Sequence, residues 1–161
     1  MLILQGNSVN VESPLLGKIS FSQVEDENRS STILVNPKIP GSDLEGYVAL
    51  ILSHAEMSEE LKALLVPGVY DVRNIEVLSE GDVVKILPDG LINVLYQINS
   101  RHNQIFVTSE CNSNCIMCPQ PVNGGEENHT NLNLKLISLI DKSTTELALN
   151  GGEPTLMGDD L

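Results

Sequence analysis

The sequence predicts an α/β protein in two parts: a small β-rich module over residues 1–102, then the first β-α-β unit of a truncated (β/α) barrel over residues 103–161. Three observations predict this. Residues 1–102 carry short β-branched and aliphatic runs bounded by Gly, Pro, Asn and Ser. The polar stretch Asn99-Ser100-Arg101-His102-Asn103 ends that pattern. Beyond it come a continuous apolar strand, an amphipathic helix and a second apolar strand, which is the order of one parallel crossover unit.

In chain order, strands are expected over residues 2–5, 18–22, 31–36 and 47–52, with Pro14, Pro37, Pro40 and Gly41 punctuating the links. Residues 57–66 predict a short helix, because Leu61, Leu64 and Leu65 form a narrow apolar stripe that Pro67-Gly68 stops. Strands return over 69–72, 83–87 and 91–96. Pro88-Asp89-Gly90 between the last two is a strong hairpin signal, since Asp and Gly both tolerate positive φ. The expectation is a small antiparallel, barrel-like module without a chemical motif of its own.

In the second part, Gln104-Ile105-Phe106-Val107-Thr108 is nearly all apolar, as a buried parallel strand requires. Thr130-Asn131 can cap a helix whose Leu132, Leu136, Leu139 and Ile140 fall at i, i+4, i+7 and i+8, one face of a 3.6-residue period. Leu147-Ala148-Leu149 is the next strand, and it runs into Asn150-Gly151-Gly152-Glu153-Pro154. One crossover unit alone leaves strand edges and one face uncovered. A barrel of this type wants several more such units and on the order of 200 residues, so this part reads as cut short.

Composition bounds the function. Of the 161 residues 41% are hydrophobic, a globular balance, and with 3% aromatics and no Trp the core must be aliphatic. Twenty-two acids against nine Lys and Arg leave a net charge of −13. That charge argues against a nucleic-acid partner and against an anionic membrane surface, and favours solubility. Residues 1–5 are too short and lack the basic flank of a secretory signal. No apolar run reaches the ~20 residues of a membrane span, and the expected compartment is the cytoplasm.

Cys111, Cys115 and Cys118 are the only cysteines. An odd, clustered set in a cytosolic chain points to metal rather than to disulfides. Three thiolates at x3 and x2 spacing without a fourth suit a four-iron cubane with one iron left open, whereas electron-transfer clusters use four thiolates. Asn112, Ser113 and Asn114 are turn formers that let one loop wrap a cluster. Two alternatives stand beside this: a zinc site completed by His102 or His129, and a Cys115–Cys118 disulfide. Gly151-Gly152-Glu153-Pro154 ends a parallel strand, where ligands of α/β folds bind. Its glycines admit close backbone approach, and Glu153 offers a negative charge to an ammonium group. A second Gly124-Gly125-Glu126 string has no strand before it and reads as a surface loop.

At residues 111–121 and 149–156 the sequence resembles the radical S-adenosylmethionine (SAM) superfamily, over about residues 103–161. The resemblance implies a 4Fe-4S cluster held by Cys111, Cys115 and Cys118, with the amino and carboxylate groups of SAM on the open iron. It implies that one electron splits the sulfur–C5′ bond and that the resulting 5′-deoxyadenosyl radical abstracts a substrate hydrogen. By position, Met117 would contact adenine, and Gly151, Gly152 and Glu153 would hold the methionine ammonium. Within the superfamily, the cysteine string, its lead Phe106-Val107-Thr108-Ser109-Glu110 and the β-rich first part are similar to the His-Xaa-Ser system radical SAM maturases. That likeness implies three partners: a precursor peptide with His-Xaa-Ser repeats, a second radical SAM protein, and an electron donor of flavodoxin or ferredoxin type. Against it stands the bland reading, a zinc-stabilised structural or peptide-binding module without enzymatic activity.

Overall fold

The computed structural model describes residues 2–36, 44–53, 66–113, 115–118 and 129–160. The first part carries β1 (Leu2–Gln5), β2 (Asn7–Val9), β3 (Leu15–Ser20), α1 (Asp26–Arg29), β4 (Thr32–Val35), β5 (Ala49–Ile51), β6 (Gly68–Tyr70), a 3-10 turn at Ile75–Val77, β7 (Val83–Ile86) and β8 (Leu91–Tyr96). The second carries β9 (Gln104–Thr108), α2 (Thr130–Leu139), β10 (Ala148–Gly151) and a 3-10 segment at Pro154–Asp160. The fold is mixed α/β, mostly sheet. The helix expected over 57–66 lies outside the described residues, Val66 excepted.

Among the described residues, eight strands form one sheet in the order β1-β8-β7-β3-β4-β5-β6-β2. The antiparallel expectation is corrected here: β3–β4, β4–β5 and β5–β6 are parallel, and only the pairs toward β1 and β2 are antiparallel. The reason lies in the links. Parallel neighbours need a crossover connection rather than a tight turn. The stretches 21–31, 36–48 and 52–67 are long enough to make one, and the first of them holds α1. The expected Asp-Gly hairpin is present. Gly90 turns with φ +83°, its amide donates to Leu87 O at 2.9 Å, and β7 and β8 run antiparallel from it.

The outermost strands in that order, β1 and β2, are separated along the chain by Gly6 alone. The sheet therefore curls until its two ends meet. Gly6 is the corner, donating from its amide to Gly90 O at 3.1 Å. A Cβ there would stand 2.6 Å from Tyr70 O and 2.7 Å from side-chain carbons of Val69 and Val72. Only a residue without a side chain fits.

Period-2 alternation then sorts the side chains. Ile19, Ile33, Val35, Ala49, Ile51, Val84, Ile86, Ile92 and Val94 fill the inside with almost no exposure. Outward-facing Leu34 and Leu50 pack with Leu44 and Tyr47. A third cluster joins the two parts: Leu16, Val83 and Tyr96 meet Ile105 and Val107 of β9 and Leu136 of α2. Leu132, Leu139 and Ile140 pack against it too, so the helix buries the face its spacing predicts.

Polar groups finish that junction. Asp82 is fully buried, and its carboxylate accepts the amides of Ser79 and Ile98 at 2.9 Å each. Asn103 accepts the Gln97 amide at 2.9 Å and donates to Gln97 O at 2.8 Å and Ser100 O at 3.1 Å. Buried amides and carbonyls of the connecting turn are satisfied in this way. Among the described residues, no helix is long and apolar enough to cross a membrane.

Candidate functional site

The site is built where β9 and β10 end. The two strands pair in parallel, from Ala148 beside Gln104 to Gly151 beside Thr108. Both chains exit at the same end of the pair: β9 into the cysteine loop, β10 into the Gly-Gly-Glu-Pro turn. Sequence separation is about 40 residues, and the crossover through α2 removes it.

The register slips between Asn150 and Gly151, where a bulge brings the turn over the start of the cysteine loop. Gly151 takes φ +151°, and a Cβ there would overlap the Thr108 carbonyl oxygen. At Gly152 a Cβ would overlap Glu110 O and stand 3.0 Å from Cys111 Cβ. Two amides stitch the segments together: Gly152 N–H donates to Thr108 O, and Glu153 N–H to Glu110 O, each at 2.8 Å. The two glycines are thus required by contact with backbone, apart from any ligand.

Glu153 is exposed toward solvent at its carboxylate. The Thr155 hydroxyl donates to its Oε1 at 2.7 Å, and the Thr155 amide does so at 3.2 Å. These two bonds, the hydroxyl first, hold the Glu153 pKa below the usual glutamate value. The side chain is therefore an oriented anion at neutral pH, as recognition of an ammonium group needs.

All three cysteines are free and exposed. Cys111 Sγ accepts the Ser113 amide at 3.4 Å, the kind of bond that backbone amides make to cluster-bound sulfur. Cys118 N–H donates to Cys115 O at 3.1 Å, closing a turn that holds Ile116 and Met117 outward, both almost wholly exposed. Among the described residues, no three His, Cys, Asp or Glu side chains converge tightly enough to hold an ion. In donor type, accessibility and shared loop, the three thiols fit a 4Fe-4S cluster, which needs them drawn toward one point. Gly124-Gly125-Glu126 and Asn114 lie outside the described residues.

Among the described residues, the histidines weighed as zinc ligands form no ligand cluster with the thiols. His129 makes an edge-to-face contact with Phe106, ring centroids 5.4 Å apart, at the start of α2. His102 lines a cleft beside β9. Two residues escaped the sequence reading: Thr155, which orients Glu153, and Asn133, whose side-chain amide donates to Phe106 O at 2.9 Å and ties α2 to β9. A Thr two places after a turn Glu was the available signal for the first. The second had none.

Comparison with protein-family models, with curated proteins and with solved structures finds no match.

Proposed function

We propose that the chain belongs to a radical SAM enzyme, and that the loop at 111–118 with the turn at 151–153 is its cofactor site. One observation carries the reading: the Glu153–Glu110 amide bond seats the Gly-Gly-Glu turn against the residue before the first cysteine. Two motifs distant in sequence, each suited to one half of the same cofactor pair, thereby share one end of a parallel strand pair.

In this reading Cys111, Cys115 and Cys118 hold a 4Fe-4S cluster, which supplies the electron for reductive cleavage of SAM. The protein's own work is positional. Gly151 and Gly152 clear backbone space at the strand ends. Glu153, fixed by Thr155, takes the ammonium group of the methionine moiety through charge and hydrogen bonding. Exposed Met117 offers backbone and side-chain contact to the adenine. The finer assignment follows the sequence likeness: a maturase of the His-Xaa-Ser system that modifies a peptide with His-Xaa-Ser repeats, together with a second radical SAM protein and a flavodoxin- or ferredoxin-like donor. Its setting is the cytoplasm, where exposed thiols stay reduced.

The test is low-temperature EPR of the anaerobically reconstituted, dithionite-reduced chain, with and without SAM. A four-iron signal that shifts on adding SAM is the expected result. A colourless protein that takes up stoichiometric zinc from iron-replete medium overturns the proposal in favour of the structural-zinc reading.

A further inference from the structure

Apart from the cysteine loop, a cleft of about 420 Å³ opens between the outer wall of the barrel and the β9–α2 pair. Its make-up departs from that of the whole chain. The protein carries 22 acids and nine Lys and Arg, yet among the described residues no Asp or Glu lines this cleft. Lys85 and two of the three histidines, His102 and His129, do. Leu95, Phe106 and Leu132 supply apolar wall between them.

Lys85 projects from β7, whose neighbours Val84 and Ile86 fill the barrel core. It sits half-buried opposite Asn93 of β8 and Leu16 of β3. Among the described residues its ammonium makes no ion pair, whereas Lys18 and Arg29 each reach an aspartate. Holding a cation part-way out of water without a counter-ion is unfavourable, and a strongly acidic chain has carboxylates to spare for it. Gln97, Gln104 and Asn133 also line the cleft and bring side-chain amides to it. A few convergent polar groups in a mainly apolar cleft are the usual make-up of a small-ligand site.

We infer that this cleft binds a carboxylate borne on an apolar group, with Lys85 and His102 facing the charge and Phe106 and Leu132 facing the apolar part. Two sources offer that chemistry, a free organic acid and the C-terminal residue of a peptide. The inference is independent of the cofactor site, since neither the cysteines nor Gly151–Glu153 line the cleft.

The experiment is ¹H–¹⁵N NMR titration of the full chain with 3-phenylpropionate and with its amide, 3-phenylpropionamide. A short peptide ending in Phe, as free acid and as C-terminal amide, forms the second arm. The same titrations are run on Lys85→Met, which keeps the aliphatic stem, after its spectrum has shown the fold unchanged. The expected result is saturable shifts at Lys85, His102, Phe106 and Leu132 with the carboxylates. Binding should be about tenfold weaker for the matching amides and for Lys85→Met, as loss of one charged hydrogen bond predicts. The source is the arm that binds more tightly. Equal binding of acid and amide, shifts confined to other residues, or no saturable shift in either arm overturns the inference.

Discussion

The backbone amide of Glu153 donates to the carbonyl oxygen of Glu110 at 2.8 Å, and between these residues Gly152 leaves no room for a side chain beside Cys111. A turn proposed to bind one ligand and a loop proposed to bind another are thus mechanically one piece. A substitution in the turn must be felt by the loop.

Gly152→Ala tests that coupling. The new methyl would overlap Glu110 O and stand 3.0 Å from Cys111 Cβ, so the loop must move. Iron incorporation on reconstitution is expected to fall severalfold. The unfolding free energy should drop by about 1–3 kcal/mol, the range for a strained or sterically displaced backbone. Gly151→Val meets Thr108 instead, one step further from the thiols, and should weaken SAM binding more than it lowers iron content. Iron analysis and SAM titration on both variants separate the effects.

Thr155→Val removes the hydroxyl that donates to Glu153. The Glu153 pKa, held down chiefly by that hydroxyl and then by the Thr155 amide, should rise toward its ordinary value of 4.5. The linkage has a definite sign. A carboxylate with a lowered folded-state pKa adds stability above its unfolded pKa, and that stability is lost as pH falls through the folded value. Asp141 behaves likewise, its pKa lowered first by the Ser143 hydroxyl. Acid titration followed by carboxyl ¹³C NMR should show both groups low in the wild type. In Thr155→Val only Glu153 should move, while Thr155→Ser should restore it.

Asn93 marks a position where the native residue is a burden. It is 9% exposed on β8, and its Oδ1 has no hydrogen-bond partner among the described residues. An unsatisfied buried acceptor costs about 1–3 kcal/mol. Asn93→Val removes it and suits a strand. The urea midpoint should therefore hold or rise; a clear fall would show that the amide is satisfied in solution.

Asp82→Ala has the opposite expectation. It strips the acceptors from the buried amides of Ser79 and Ile98. A loss of about 2–4 kcal/mol follows from two orphaned donors. Equilibrium unfolding checks it.

Much of the fold can be read from the chain, and the exceptions share a cause. β1, β8 and β9 run over the residues their alternation or continuous apolarity marks, and α2 buries the face its spacing marks. β2 escaped because Asn7-Ser8-Val9 has one β-branched residue and no pattern; it is a strand only because β6 pairs with it. α1 spans one turn, too short for a 3.6-residue period to show. β3 begins at Leu15, right after Pro14, three residues before the apparent start, because Gly17 looks unremarkable until Ile33 packs over it. Strand direction was illegible for a general reason. Alternation tells which face a residue takes and says nothing about which neighbour it meets. At the site, the motifs and their meeting point were legible. The bulge at Gly151 and the Thr155 brace depend on backbone geometry that residue types do not encode.

The corner at Gly6 also dictates an order of events during synthesis. Leu2 pairs with Val94, and Ser8 pairs with Val69. β1 waits for β8, the last described strand of its own sheet in chain order, and contacts so distant in sequence form slowly. Until β8 emerges, the nascent module is an open ribbon with apolar Leu2 and Leu4 of β1 unsheltered, the state in which chaperones find their clients. Barrel closure is thus a late step for this chain, with the cysteine loop following only some fifteen residues behind the strand that completes it.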